Sequence, residues 1–179
     1  DKFSQLFGAG EDKRHVVGWN KNERCVREQH GGTAIMAIGR FSAHVVDVGT
    51  DKTELGRWSW ILVGLGSVKT RIVVAYNPCE PPRSSRGKTV FEQHGRYFEA
   101  RGNFKSPRTL FCDQLARQLV DWKKAGEEII LFGDFNKNVY SGRFSKRLSQ
   151  PDILMVEQCL KTNGIHLPPT HVRGTKNAI

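Results

Sequence analysis

The run Glu128-Ile129-Ile130-Leu131-Phe132 constrains this chain more than any other stretch, because Gly133-Asp134-Phe135-Asn136 follows it without a gap. The run has the length and β-branched content of a buried strand. The glycine then lets the backbone turn sharply or come close to a ligand. A carboxylate and a carboxamide thus leave the end of a core strand two positions apart, on one face. A carboxylate so placed can act as general base or metal ligand, while the amide orients it or a phosphate oxygen. An Asx-rich turn leaving a strand has the same residues and no chemistry. Spacing alone leaves both readings open.

The rest of the chain reads as strands first and helices later. Residues 1–30 are polar and irregular, with Val16-Val17 as a short strand. Strands are expected over Thr33–Ile38, His44–Val48, Trp58–Leu65 and Arg71–Tyr76, the last two joined by a Gly66-Ser67 hairpin. Tight turns between consecutive strands argue for antiparallel pairing. Pro78 to Pro82 breaks the sheet, and a helix over Val90–Ala100 follows, weakened by Gly95. A firmer helix starts at the N-cap Ser106 and Pro107, with Phe111, Leu115, Leu119 and Trp122 as its apolar stripe and Gly126 as its stop. A second such helix is expected over Pro151–Thr162, then a short strand at Ile165–Leu167. This order predicts an α+β fold rather than regular βαβ alternation.

Charge narrows the partners. Lys and Arg number 28 against 18 Asp and Glu, a net charge of +10. That excess favours a polyanion, nucleic acid before an anionic membrane surface, with a merely basic soluble surface as the alternative. Between Arg83 and Arg108 seven Lys or Arg face two Glu, with Phe91, Tyr97, Phe98 and Phe104 interleaved. Arg83, Arg86, Lys88 and Arg101 are the candidate substrate-binding cations of that run. Its 179 residues suit one domain with a substantial core. No apolar run nears the ~20 residues of a membrane span, and no signal-peptide pattern opens the chain. Cys25, Cys79, Cys112 and Cys159 are scattered, as reduced thiols of an intracellular protein would be. The six His show no metal-ligand spacing. Trp58 and Trp60, two apart on one strand face, read as sheet core rather than base-stacking platforms.

Several of these motifs, in this order, resemble the endonuclease/exonuclease/phosphatase superfamily. They are Gly31-Gly32-Thr33-Ala34-Ile35, Gly56-Arg57-Trp58-Ser59-Trp60, the Arg71–Tyr76 strand ending in Tyr76-Asn77-Pro78, Gly133-Asp134-Phe135-Asn136 and Thr170-His171. The look is closest to the endonuclease domains of non-LTR retroelements and to apurinic endonucleases, from about residue 31 onward. The resemblance implies one domain over 1–179, with two packed, mainly antiparallel sheets flanked by helices in a four-layer α/β/β/α sandwich. It also implies hydrolysis of nucleic acid, DNA foremost, assisted by Mg²⁺ or Mn²⁺, inside the cell and in the nucleus where DNA is the substrate. By resemblance Asp134 is the base or water-positioning residue and a metal ligand, and Asn136 stabilises the phosphate and holds Asp134 in place. Tyr76 donates to a phosphate oxygen, and the Thr170 hydroxyl approaches the scissile group. Asn77 reads as a turn residue ahead of Pro78.

The family's Gln-Glu strand and its closing Asp-His pair have no counterpart in these residues. Together with the opening Asp1-Lys2-Phe3, that predicts a central piece of the domain, incomplete at both ends and inactive by itself. Two other functions stay open. One is a phosphatase or phosphodiesterase of the same fold; the other is a basic nucleic-acid-binding module without catalysis.

Overall fold

The computed structural model describes residues 13–23, 31–81, 89–136, 146, 148 and 153–157, the last as backbone only. The fold is α+β, with two sheets and helices. Strands β1 (Lys13–Gly18) and β2 (Thr33–Ile38) form an antiparallel pair. A 3-10 turn over Gly39–His44 leads to the second sheet, whose strands are β3 (Val45–Thr50), β4 (Trp58–Leu65), β5 (Val68–Tyr76), β6 (Glu128–Asp134) and β7 (Ile153–Glu157). They lie side by side in chain order. Pairing is antiparallel from β3 to β5 and parallel from β5 to β7. The switch falls where helices α1 (Val90–Glu99) and α2 (Pro107–Lys124) carry the chain from β5 to β6. A parallel neighbour needs such a crossover, whereas the Gly66-Ser67 turn suffices for β4 and β5.

Strand alternation sorts the side chains into two cores. Trp58, Val73, Ala75, Ile129, Leu131 and Phe135 face the helices, where Phe111, Leu115, Leu119 and Trp122 of α2 meet them. The helical stripe read from the sequence is the buried face of α2. On the opposite side Ile61 and Val63 pack with Ala37, joined by Val16, Ile35, Val45 and Ile72. A buried Thr33 Oγ1 to Ser59 Oγ hydrogen bond of 2.8 Å ties the sheets together there. The described residues therefore form three layers, sheet on sheet on helices.

Several expectations change. β5 begins at Val68 rather than Arg71, and β6 runs on through Gly133 to Asp134 instead of ending at Phe132. The strand at Val16-Val17 spans all of Lys13–Gly18, because its alternation is completed by pairing with β2. His44 closes the 3-10 turn, so β3 starts one residue later and runs to Thr50. The helix expected over Pro151–Thr162 is contradicted, since Ile153–Glu157 is strand β7, parallel to β6. Ile153-Leu154-Met155-Val156 is four apolar residues in a row, which fits a parallel strand as well as a helix turn. An open strand edge decides it. The expected strand at Ile165–Leu167 lies outside the described residues.

Two buried arginines brace the helix-facing core. Arg71 donates from Nε and Nη2 to the two Glu127 oxygens at 2.5 and 2.6 Å, with its guanidinium 4.0 Å from the Trp60 ring centre and 4.5 Å from that of Trp122. Arg57, 1% exposed, reaches Asp51 at 3.3 Å and lies over Trp58 and Phe98. Asp51 also accepts from the Arg57 and Thr53 backbone N–H groups, so the carboxylate is well supplied with donors. Burial pushes the Arg57 guanidinium below its ordinary pKa, with Asp51 opposing. Beside them His94, also 1% exposed, is lowered to about 4 by burial first and by Arg57 second, against Asp51 and the Leu55 backbone.

Removing one partner of a buried pair strands the other charge, so Glu127→Ala should cost roughly 3–5 kcal/mol in urea unfolding. Arg71→Met with Glu127→Leu should recover most of that, and a double variant no better than Glu127→Ala would contradict the pairing. His94 supplies a pH dependence of definite sign. Its folded pKa lies below the ordinary 6.5, so the unfolded chain binds more protons between pH 6.5 and 4. Stability should be full above 6.5 and fall by roughly 3 kcal/mol towards pH 4. His94→Gln should flatten that slope in denaturation curves at pH 7 and 4.5; an unchanged slope would place the titration elsewhere.

Candidate functional site

The site forms where β5 and β6 end together. Their parallel register pairs Tyr76 with Asp134, and both side chains sit on the side of the sheet facing β1 and β2. Gly133 makes the register possible. A Cβ there would stand 2.3 Å from the Ala75 carbonyl oxygen and 3.0 Å from the Phe135 ring, so a larger residue would push β6 off β5. Phe135 then buries completely in the helix-facing core and anchors the turn.

Asn136 does not project beside Asp134 as period-two spacing implies. Its backbone is left-handed, φ 48°, a region asparagine tolerates better than most residues. The turn brings its N–H to within 3.3 Å of Asp134 Oδ1, and its Nδ2 donates to the Asn77 carbonyl at 2.8 Å. The Asx-turn reading and the functional reading thus describe one geometry. Oδ1 closes the turn, and Oδ2 makes no hydrogen bond among the described residues.

Asn77 is the residue that the sequence reading undervalued. It is 1% exposed, and its Nδ2 donates to the Phe135 carbonyl at 2.8 Å while its own N–H donates to the Asp134 carbonyl at 3.0 Å. With the Asn136 bond, three hydrogen bonds clamp the two strand ends. Its Oδ1 has no partner among the described residues. An asparagine rather than any turn-former before Pro78 was the available signal.

Arg108 is the cation at the turn. It sits in the first turn of α2, and its Nη2 donates to the Asn136 carbonyl at 2.5 Å. A cation at a helix N-terminus opposes the macrodipole preference. No acid offsets it in that turn, and Ser106 makes no side-chain capping bond. The helix end and Arg108 together make this corner electropositive. Arg101, by contrast, stacks 3.6 Å from the Tyr97 ring centre beyond the end of α1, roughly 15 Å along that helix from Val90. Val90 and Tyr76 both flank Gly31, so the start of α1 borders the site. Arg83, Arg86, Lys88, Thr170 and His171 lie outside the described residues.

Burial, then Cys79 and Asp134, push the Tyr76 hydroxyl above its ordinary pKa, so at neutral pH it is a neutral donor. Cys79 is raised by burial and by Asp134, with Arg108 opposing, which keeps it a thiol. A neutral O–H donor and a carboxylate thus stand together at the strand ends, and the Arg108 guanidinium is bonded to the turn that follows. Among the described residues no group of three or more His, Cys, Asp or Glu gathers to hold a metal ion. No described helix is long and apolar enough to cross a membrane.

Comparison with family models, curated proteins and solved structures found no match for this chain.

The clamp makes an unusual demand on Asn77. Asn77→Ala should cost about 1–3 kcal/mol by removing the buried hydrogen bond to the Phe135 carbonyl, eased by removal of the unpartnered Oδ1. The nearly isosteric Asn77→Asp should cost more, because it sets a carboxylate against that carbonyl. Urea midpoints showing Asp as benign as Asn would mean the clamp is not made.

Proposed function

We propose that this chain belongs to a metal-assisted phosphodiester hydrolase acting on nucleic acid. The observation that carries the reading is the pairing of Tyr76 with Asp134 at the adjacent ends of β5 and β6. Ligands of sheets with parallel strands gather outside those carboxyl ends, where the chain must leave for its next element. The order of motifs shared with the endonuclease/exonuclease/phosphatase superfamily supports the same reading, as does the net charge of +10.

In this reading Asp134 orients the attacking water through Oδ2 and takes its proton, while Oδ1 stays committed to the turn. Tyr76 donates its hydroxyl proton in a hydrogen bond to a non-bridging phosphate oxygen. Arg108 and the positive end of α2 balance the negative charge that builds on the phosphorane-like transition state. Asn136, expected by resemblance to stabilise the phosphate, spends its Nδ2 on the Asn77 carbonyl, so in this reading Asn77 and Asn136 only hold Asp134 at its angle. Thr170 is carried into the proposal by resemblance alone.

A magnesium ion would take Asp134 as one oxygen ligand. Hard cations of this kind keep several waters and need few protein carboxylates. When bound, the ion would polarise the phosphate. Asp134 by itself does not define a coordination sphere, so every step above is assigned to the chain's own groups.

In the intact protein Asp134→Asn should lower hydrolysis of supercoiled plasmid by roughly 10²–10⁴-fold, the contribution of a positioned base. Affinity for DNA measured without divalent ions should hardly change. Near-normal turnover by Asp134→Asn would reduce Asp134 to a turn residue and remove the basis of the proposal.

A further inference from the structure

An open cleft lies along α1. Residues Phe91, Gly95, Arg96, Phe104, Lys105 and Pro107 line its volume of about 430 Å³ between α1 and the segment that leads into α2. That volume falls within the roughly 300–1,000 Å³ of small-ligand sites. Two of its features are unexplained by the protein's own packing.

The first is Phe104, 83% exposed, the most exposed large hydrophobic side chain among the described residues. Single exposed apolar residues are ordinary, but an aromatic ring standing free beside a cleft is an available stacking face. The second is Gly95 in the middle of α1. Glycine is the least favourable helix-interior residue after proline. A Cβ at Gly95 would meet only Pro107 Cγ, at 3.9 Å, which is ordinary contact. The packing between the helices therefore does not call for glycine here. What a side chain would take away is space in the cleft.

We propose that this cleft receives an unpaired base of single-stranded nucleic acid, stacked on Phe104 and Phe91, while the adjoining backbone runs to Asp134. The proposal rests on the reading of the Asp134 turn as a phosphodiester site and narrows its substrate to strands with accessible bases. Connectivity supplies the path. Pro107 lines the cleft, and the next residue, Arg108, bonds the Asn136 carbonyl at the turn. At its other end α1 begins with Val90, which shares Gly31 as a neighbour with Tyr76. One helix thus leads from the catalytic corner to the cleft.

The mixed polar and aromatic lining favours a nucleotide over an apolar peptide. Arg96 and Lys105 line the cleft, and Arg101 and Arg108 stand on the same connection. Of the two acids in the lining, Glu92 is held by the Thr89 capping box and Glu99 stands at the C-terminal end of α1; Arg96 pairs with Glu23, which leaves Lys105 as the lining cation with no ion pair among the described residues. Base stacking on aromatic faces tolerates any sequence, since every base has a π-face. A base within a duplex has no free face to offer, so a paired substrate would have to open to use the cleft.

The test is fluorescence anisotropy with three labelled ligands in chelator-containing buffer: a single-stranded oligodeoxynucleotide, an abasic strand of equal length, and a duplex. The intact protein is compared with Phe104→Ala, Phe104→Trp and Gly95→Ala. Phe104→Ala should weaken binding of the base-bearing strand by about tenfold, the effect of losing one stacked base. It should leave the abasic strand and the duplex as they were, and Phe104→Trp should restore affinity. Gly95→Ala should weaken the base-bearing strand selectively, although alanine favours the helix. Equal affinity of wild type and Phe104→Ala for the base-bearing strand would overturn the cleft assignment and leave the nucleic-acid reading standing. Failure of the wild type to bind any of the three ligands would overturn both.

Discussion

Everything at the candidate site depends on β5 and β6 running parallel in one register. Parallel neighbours end at the same edge, so the last residues of two separate strands, Tyr76 and Asp134, come out side by side. An antiparallel neighbour would have put the end of one strand beside the start of the other. The chain secures this arrangement with a helical crossover, α1 and α2, that carries it from the end of β5 back to the opposite end of the sheet, where β6 begins. That crossover also delivers Arg108 to the turn, so sheet order and site electrostatics have one cause. Gly133 is where the constraint is tightest, because nothing larger than hydrogen fits against the Ala75 carbonyl.

The buried charges hold the same strand from other directions. Arg71 lies in the middle of β5 and reaches Glu127 just ahead of β6, so the pair bridges the two strands that form the site. Arg57 accepts, through its carbonyl, the Tyr76 N–H at 2.8 Å, while its side chain is fixed by Asp51 and two aromatic rings. Buried ion pairs of this kind add little net stability over an apolar replacement, because desolvation offsets the attraction. Their geometry is what matters here. Planar guanidinium groups stacked on indole and phenyl rings accept few positions, and both fix β5 and its end.

How much of this could be read from the residues follows from the range of the signals. α2 was legible because Ser106, Pro107, the Phe111–Trp122 stripe and Gly126 are all local, and each points to the same helix. β4 was legible for the same reason, through its β-branched and aromatic residues and the Gly66-Ser67 turn. Ile153–Glu157 was not, because four consecutive apolar residues contain no period, and a neighbouring strand edge settled the matter. Asp134 was singled out from its place after an apolar run. Asn77 and Arg108 were not, since their roles arise from partners 58 and 28 residues away. His94 was unreadable for a similar reason, as only the packing of α1 onto Arg57 makes it a buried neutral base.

Glu54, with left-handed backbone on the β3–β4 connection, is one site of local disagreement away from the candidate site; three others fall near it. Asn136 has left-handed backbone, Arg108 is a cation in the first turn of a helix, and Gly95 interrupts a helix that alanine would suit better. Each departs from what local preference would choose. A chain whose levels otherwise agree concentrates such departures where something besides stability is being served. These three are linked by successive contacts, from the Asp134 turn through the start of α2 to the cleft beside α1. The first two meet in a single hydrogen bond, Arg108 to the Asn136 carbonyl, and the third stands across from Pro107, the residue before Arg108. The proposed strand of nucleic acid, lying from the turn to the cleft, would give all three one purpose.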